Sequence, residues 1–201
     1  MDTALWVIGR GMGVAAVVLL TLTVLLGIVT RGGRPLPGLP RFAVQLVHRD
    51  VALASTVLVV VHVVTLLLDT EAELRLVDTI VPFVGAYRWF WLGLGTLAVD
   101  LLVVLVVTGM LRRVIGPRVF RAVHWAAYAM WPIALAHAIG TGTDGTSAWF
   151  LVVAGVCAAA VVGAVAWRCT ARVTEFRSPP TGRPHPAGPH PIDPQPMEAL
   201  R

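Results

Sequence analysis

The sequence predicts an all-α integral membrane protein, a bundle of five transmembrane helices with one short re-entrant or interfacial segment. Three observations predict it. The chain of 201 residues is 57% hydrophobic and only 13% charged, with a mean hydropathy of +0.79, whereas a soluble domain carries about 25% charged residues. Five apolar stretches each approach the roughly 20 residues that span a bilayer core. The 16 basic residues are all arginines and gather at the ends of those stretches. Nucleic-acid binding needs a basic face with polar support, which this pattern lacks; the basic charge reads as membrane topology.

The five stretches run over about 5–29, 43–68, 92–111, 119–140 and 147–168. The first has no cationic segment before it and is too long for a signal-peptide core, so it reads as a retained helix. It ends at Arg31-Gly32-Gly33-Arg34-Pro35. The second ends at Asp69 and an acidic stretch, the third at Arg112-Arg113, the fourth in the glycine-rich 140–145 loop and the fifth at Trp167-Arg168. The segment 76–91, LVDTIVPFVGAYRWFW, is apolar but broken by Pro82 and Gly85; it fits a re-entrant or interfacial position, with Tyr87, Trp89 and Trp91 in an aromatic belt.

Arginines in the 31–41 and 112–121 loops and at 168–177 fall on one side of a five-helix bundle. The positive-inside rule makes that side cytoplasmic in the cell membrane, with the N-terminus outside and the C-terminus inside. Residues 1–170 form the membrane domain. Residues 171–201 read as a disordered, Pro-rich cytoplasmic tail, with eight prolines after residue 177. Cys157 and Cys169 are 12 residues apart, roughly 18 Å along a helix, too far for a disulfide. No CxxC pattern points to zinc or an iron–sulfur cluster.

Chemistry concentrates in four histidines within apolar helices: His48 and His62 on the second stretch, His124 and His137 on the fourth. Ionisable groups in a bilayer are costly and need partners. His48 and His62 lie 14 residues apart, about 21 Å along a helix and within roughly 40° of one face. His124 and His137 lie 13 apart, about 20 Å. Since both helices run from inside to outside, His48 and His124 share an inner level, and His62 and His137 an outer one. Each level offers two imidazoles on different helices, the arrangement that ligates a six-coordinate haem iron. An ideal helix leaves His137 about 140° off the face of His124, so the pattern also requires a change of winding, expected at Trp131-Pro132.

The two histidine-bearing stretches, LVHRDVALASTVLVVVHVVTLLLD and RAVHWAAYAMWPIALAHAIGTGTD, resemble the haem helices of the ferric reductase-like transmembrane domain family. That family includes ferric reductases, NADPH oxidases and the haem subunit of the methionine sulfoxide reductase system. The resemblance covers about 5–170 and implies two b-type haems with His48, His62, His124 and His137 as metal ligands. It implies electron transfer from a cytoplasmic-side donor to an outer-side acceptor. Family oxidases and metal reductases often have six helices and a C-terminal flavin and nicotinamide domain. Here five helices and a tail of about 30 residues are expected, and LGLGTL around Gly93 and Gly95 follows no strand, so it is no dinucleotide fingerprint. The electron donor is therefore expected to be a separate flavoprotein or quinol.

Haem propionates are anionic and suited to arginine. Arg10 is expected near the outer haem, with membrane-interface snorkelling as its alternative role, and Arg49 and Arg121 near the inner one, with Arg121 alternatively only a topology signal. Asp100 in the third stretch either bonds a neighbour or assists proton uptake. Two other functions stand beside two-haem electron transfer: a single-haem, quinol-linked subunit of a periplasmic reductase, and a cofactor-free membrane scaffold.

Overall fold

A computed structural model describes residues 3–31, 40–72, 74–142 and 144–177. Among them are six helices and two short 3₁₀ turns: α1 (Thr3–Arg31), α2 (Arg41–Leu68), the turns Thr70–Ala72 and Leu76–Thr79, α3 (Trp89–Met110), α4 (Arg112–His124), α5 (Ala127–Thr141) and α6 (Ala148–Arg177). Leucine, valine and alanine dominate α1, α2, α3 and α6. Within these helices Ala4–Thr30, Phe42–Leu68, Trp89–Met110 and Ala148–Thr170 are each long and apolar enough to cross a bilayer. The chain is a multi-pass helical membrane protein. Its last helix continues nine residues beyond Arg168, where the sequence alone placed the end, so residues 171–177 of the expected disordered tail are helical; residues 178–201 of that tail lie outside the described residues.

The fourth expected span departs from expectation. Instead of one helix over 119–140, the chain breaks at Trp125–Ala126 into α4 and α5. α5 has 15 residues, about 22 Å of helix, too short alone for a core of about 30 Å. α4 is itself bent at Gly116, whose φ of 78° and ψ of 164° leave the helical region before Pro117. A residue preceding proline is pushed out of α geometry, and only glycine adopts that positive φ without a steric penalty.

The segment between α2 and α3 forms a compact cap at one end of the bundle. Arg75 and Asp78 close a reciprocal box: the Arg75 backbone N–H and guanidinium both donate to the Asp78 carboxylate. Thr96 on α3 donates its hydroxyl to the Asp78 carbonyl at 2.6 Å. Arg88 Nη1 reaches the Gly140 carbonyl at the end of α5 at 2.7 Å. Between these ties Phe83 and Arg88 have positive φ, 67° and 37°, an uncommon backbone for such side chains. Phe83, Trp89, Phe90 and Trp91 pack edge to face and stacked around the turn.

The hydrogen bonds from Arg75 hold the Asp78 carboxyl below its ordinary pKa of 3.8. A depressed carboxyl stabilises the fold above its unfolded pKa and loses that contribution as pH falls through the folded one. The cap is therefore expected to keep its hydrogen-exchange protection from neutral pH to about pH 4 and to loosen below it. Asp78→Asn should loosen it already at neutral pH; unchanged exchange at residues 75–80 in that variant would contradict the role of the box.

Packing follows a simple scheme. α1 lies along α2, and α3 along α5, while α1 also touches α5 and α6. The shared core unites Leu20, Val24 and Ile28 of α1, Ala98, Leu102 and Leu105 of α3, Met130 and Trp131 of α5, and Cys157 and Val161 of α6. α2 contributes no fully buried residue to this cluster and is held chiefly through α1. Asp100 falls on the side of α3 opposite Ala98, Leu102 and Leu105. Cys157 is buried, Cys169 exposed, and both are free thiols.

The ends of the bundle differ in charge. One end carries Arg112, Arg113, Arg118 and Arg121 on α4. Arg168 joins it, donating to the Ile28 carbonyl at 2.9 Å and tying α6 to the C-terminal end of α1. The opposite end carries Asp78 and Asp144, each ion-paired with an arginine, Arg75 and Arg10 respectively.

Candidate functional site

α2 bears two histidines, and each lies against α1. His48 Nδ1 is 3.0 Å from the Thr23 carbonyl; His62 Nδ1 is 2.6 Å from the Gly9 carbonyl. A carbonyl can only accept, so Nδ1 carries the proton in both rings and Nε2 keeps its lone pair. That is the ring state of a metal-binding histidine steadied by a backbone carbonyl. The antiparallel course of α1 and α2 explains why both rings meet the same helix at separated depths.

On α5, His137 repeats the pattern against α3. Its Nδ1 lies 2.8 Å from the Trp91 carbonyl and 3.2 Å from the Thr141 hydroxyl. His124, at the end of α4, stacks on Phe120 with ring centres 5.1 Å apart and planes 29° apart.

The structure brings His48 and His124 together, ring centres 6.3 Å apart and planes at 75°. Two metal–nitrogen bonds of about 2 Å, plus roughly 1 Å from each nitrogen to its ring centre, separate the centres of two imidazoles on one metal by about 6 Å. The separation of the His48 and His124 ring centres is of that size.

The winding that relates His124 to His137 is tightened. Trp125, Ala126, Tyr128 and Ala129 each donate to the carbonyl three residues back rather than four. Every residue wound this way turns the chain about 20° further than α-helix does, in the direction that returns His137 toward the face of His124. The change lies about a turn before Trp131-Pro132, where the sequence placed it. A proline ring crowds the carbonyl four residues earlier, here that of Tyr128, so the disturbance falls upstream of Pro132.

The expected arginines divide between the two ends. Arg10 forms an ion pair with Asp144 and lies over the Trp6 ring, 4.2 Å from its centre. It follows Gly9, whose carbonyl receives His62. Arg49 is exposed beside His48. Arg121, three residues before His124, is exposed and donates Nε to the Pro117 carbonyl at 3.0 Å.

Sequence reasoning missed the residues opposite the histidines. A Cβ on Gly27 would come within 3.4 Å of the His48 ring, on Gly13 within 3.0 Å of His62, and on Gly95 within 2.5 Å of His137. One signal was available: Gly13 and Gly27 repeat the 14-residue interval of His48 and His62. Gly93 and Gly95, in the LGLGTL stretch, prove to be close-approach positions, Gly93 against Phe83 and Gly95 against His137. Also missed was a polar contact in the core, where Trp131 Nε1 donates to Thr21 Oγ1 at 2.9 Å.

This architecture defines a multi-pass helical membrane protein in which His48, His62 and His137 are seated on backbone carbonyls through Nδ1. The chain belongs to the family described as ferric reductase like transmembrane component, whose model matches residues 12–135, and members of that family generally bind haem. The match contains His48, His62 and His124 and stops two residues before His137. No curated protein and no solved structure matches the chain.

Proposed function

We propose that the chain is a transmembrane electron-transfer component with two b-type haems, ligated by His48 and His124 at the inner level and by His62 and His137 at the outer one. The observation that carries this reading is the 6.3 Å separation of the His48 and His124 rings, spanning helices that are otherwise packed on other neighbours. Among the described residues no cluster of three or more His, Cys, Asp or Glu could hold a metal ion. A pair of imidazoles suits a metal that brings its remaining ligands with it, as a porphyrin does. Family membership supports both the haem and the electron-transfer role.

When bound, a six-coordinate haem takes up and releases an electron at its iron, with a potential tuned by its axial ligands and their hydrogen bonds. The chain's own residues do the rest. Thr23, Gly9 and Trp91 carbonyls fix the tautomer and direction of three rings. The apolar cluster around Trp131 excludes water between the levels. Arg49 and Arg121 flank the inner pair and are suited to its propionates; Arg10 serves the outer pair by exchanging Asp144 for a propionate.

The last turns of α4 together with α5 complete a fifth crossing. The arginine-rich end is cytoplasmic, with the N-terminus outside, and meets a flavoprotein or quinol donor; the electron leaves to an acceptor on the outer side.

The decisive measurement is the optical spectrum of the purified full chain from haem-replete cells, with haem counted by pyridine haemochromogen. Bis-histidine ligation predicts a low-spin b-type spectrum and about two haems per chain. A count of one would favour the single-haem, quinol-linked subunit. A colourless protein would overturn the haem reading.

A further inference from the structure

We infer that Gly13 and Gly95 are positioning residues for His62 and His137, each glycine admitting an imidazole onto bare helix backbone where the carbonyl four residues earlier takes its Nδ1–H, while Gly27 stands in the same relation to His48 with room to spare. The inference rests on the haem-ligand reading above and adds what sets the ligands' orientation.

The argument is a threefold recurrence. Opposite His48 stands Gly27, and the accepting carbonyl is Thr23. Opposite His62 stands Gly13, and the acceptor is Gly9. Opposite His137 stands Gly95, and the acceptor is Trp91. In each case glycine and acceptor are separated by one helical turn. A helical carbonyl is already engaged by the N–H four residues later, and the Cβ of that later residue points back over it. Removing the Cβ opens the path by which a ring nitrogen can share the carbonyl. The contact arises on two helix pairs, α1 with α2 and α3 with α5. On the first pair it repeats after 14 residues on both antiparallel partners, so the seat is a property of the arrangement and not of one local accident.

The three seats differ in tolerance. At Gly27 an added Cβ would make ordinary contact with His48 at 3.4 Å; at Gly13 it would press on His62 at 3.0 Å; at Gly95 it would meet Cε1, Nδ1 and Nε2 of His137 at 2.5, 2.6 and 3.0 Å. Gly95→Ala must therefore displace the ring and its metal-binding nitrogen, Gly13→Ala must shift it by tenths of an ångström, and Gly27→Ala can leave it in place.

The test uses the purified full-length chain and its Gly95→Ala, Gly13→Ala and Gly27→Ala variants. Its readouts are haem count, the low-temperature EPR g-values of the ferric low-spin signals and their midpoint potentials. Gly95→Ala is expected to weaken haem binding by about 10-fold or more, the usual effect of losing an outer-shell partner, and to lower the count from two toward one. Gly13→Ala should keep both haems with one EPR signal shifted. Gly27→Ala should match the parent. Parental haem count, g-values and potentials in Gly95→Ala would overturn the inference, as would a Gly27→Ala variant damaged as severely.

If Gly95→Ala does not fold, ¹⁵N NMR of the histidines in the parent chain decides: Nδ1-protonated rings at 48, 62 and 137 support the seats, and Nε2-protonated rings overturn them. A parent chain without haem would sink the haem reading alone, because the tautomer measurement still applies to it.

Discussion

Replacing His62 or His137 with alanine is expected to reduce the haem content from about two per chain to about one, because a b-type iron that loses an axial imidazole is no longer held between helices. The retained haem should keep its low-spin spectrum and remain reducible. Its ligands, His48 and His124, lie at the other level, separated from the altered residue by the Leu20, Val24 and Trp131 cluster. The converse replacements, His48→Ala and His124→Ala, should remove the inner haem and spare the outer. Each pair of variants should then lose the same spectral component. If His62→Ala and His48→Ala instead lost the same one, the histidines would be paired along α2 and not between levels. Haem quantitation and a redox titration of each variant are sufficient to decide.

Trp131→Ala is expected to produce the largest loss of stability among substitutions that touch no histidine, about 3 kcal/mol or more for a buried tryptophan truncated to alanine. Trp131 is buried among residues of α1, α3 and α6, and lipid tails cannot enter to fill the void it leaves. In a bilayer the driving force for helix association is packing rather than release of water, so shape lost at the centre of the bundle is felt directly. The hydrogen bond to Thr21 is the smaller part. Thr21 also donates to the Val17 carbonyl at 2.8 Å, so Trp131→Phe leaves no orphaned group; it should cost about 0.6 kcal/mol for the hydrogen bond plus a packing loss smaller than that of alanine. Denaturation in a detergent series, followed by helical circular dichroism, separates the two. Equal losses for alanine and phenylalanine would show that the hydrogen bond, and not the packing, carries the effect.

Much of the fold was legible because the bilayer imposes a simple rule on sequence: an apolar run of sufficient length must satisfy its backbone internally and becomes a helix. α1, α2, α3 and α6 followed from that rule, with ends marked by arginine, proline and glycine. The rule does not describe how the chain winds. The 119–140 stretch is apolar enough to read as one helix, yet crowding ahead of Pro132 and tightened bonds at Trp125–Ala129 divide it. The cap over 75–88 was visible only as a broken apolar segment, because its closure depends on Thr96 and Gly140, which are distant in the chain.

The candidate site divides in the same way. The four histidines stood out by themselves, since an imidazole in a run of valine and leucine is costly wherever the helix goes, and their intervals already fixed their depths. What faces each ring was decided by tertiary structure. His48 meets Gly27, His62 meets Gly13 and His137 meets Gly95 only because α1 runs antiparallel to α2 and α3 packs on α5. Residue type and spacing determine how far along a membrane helix a group lies; which backbone carbonyl it reaches, and whether a neighbouring helix leaves room for it, are set by the crossing of two helices.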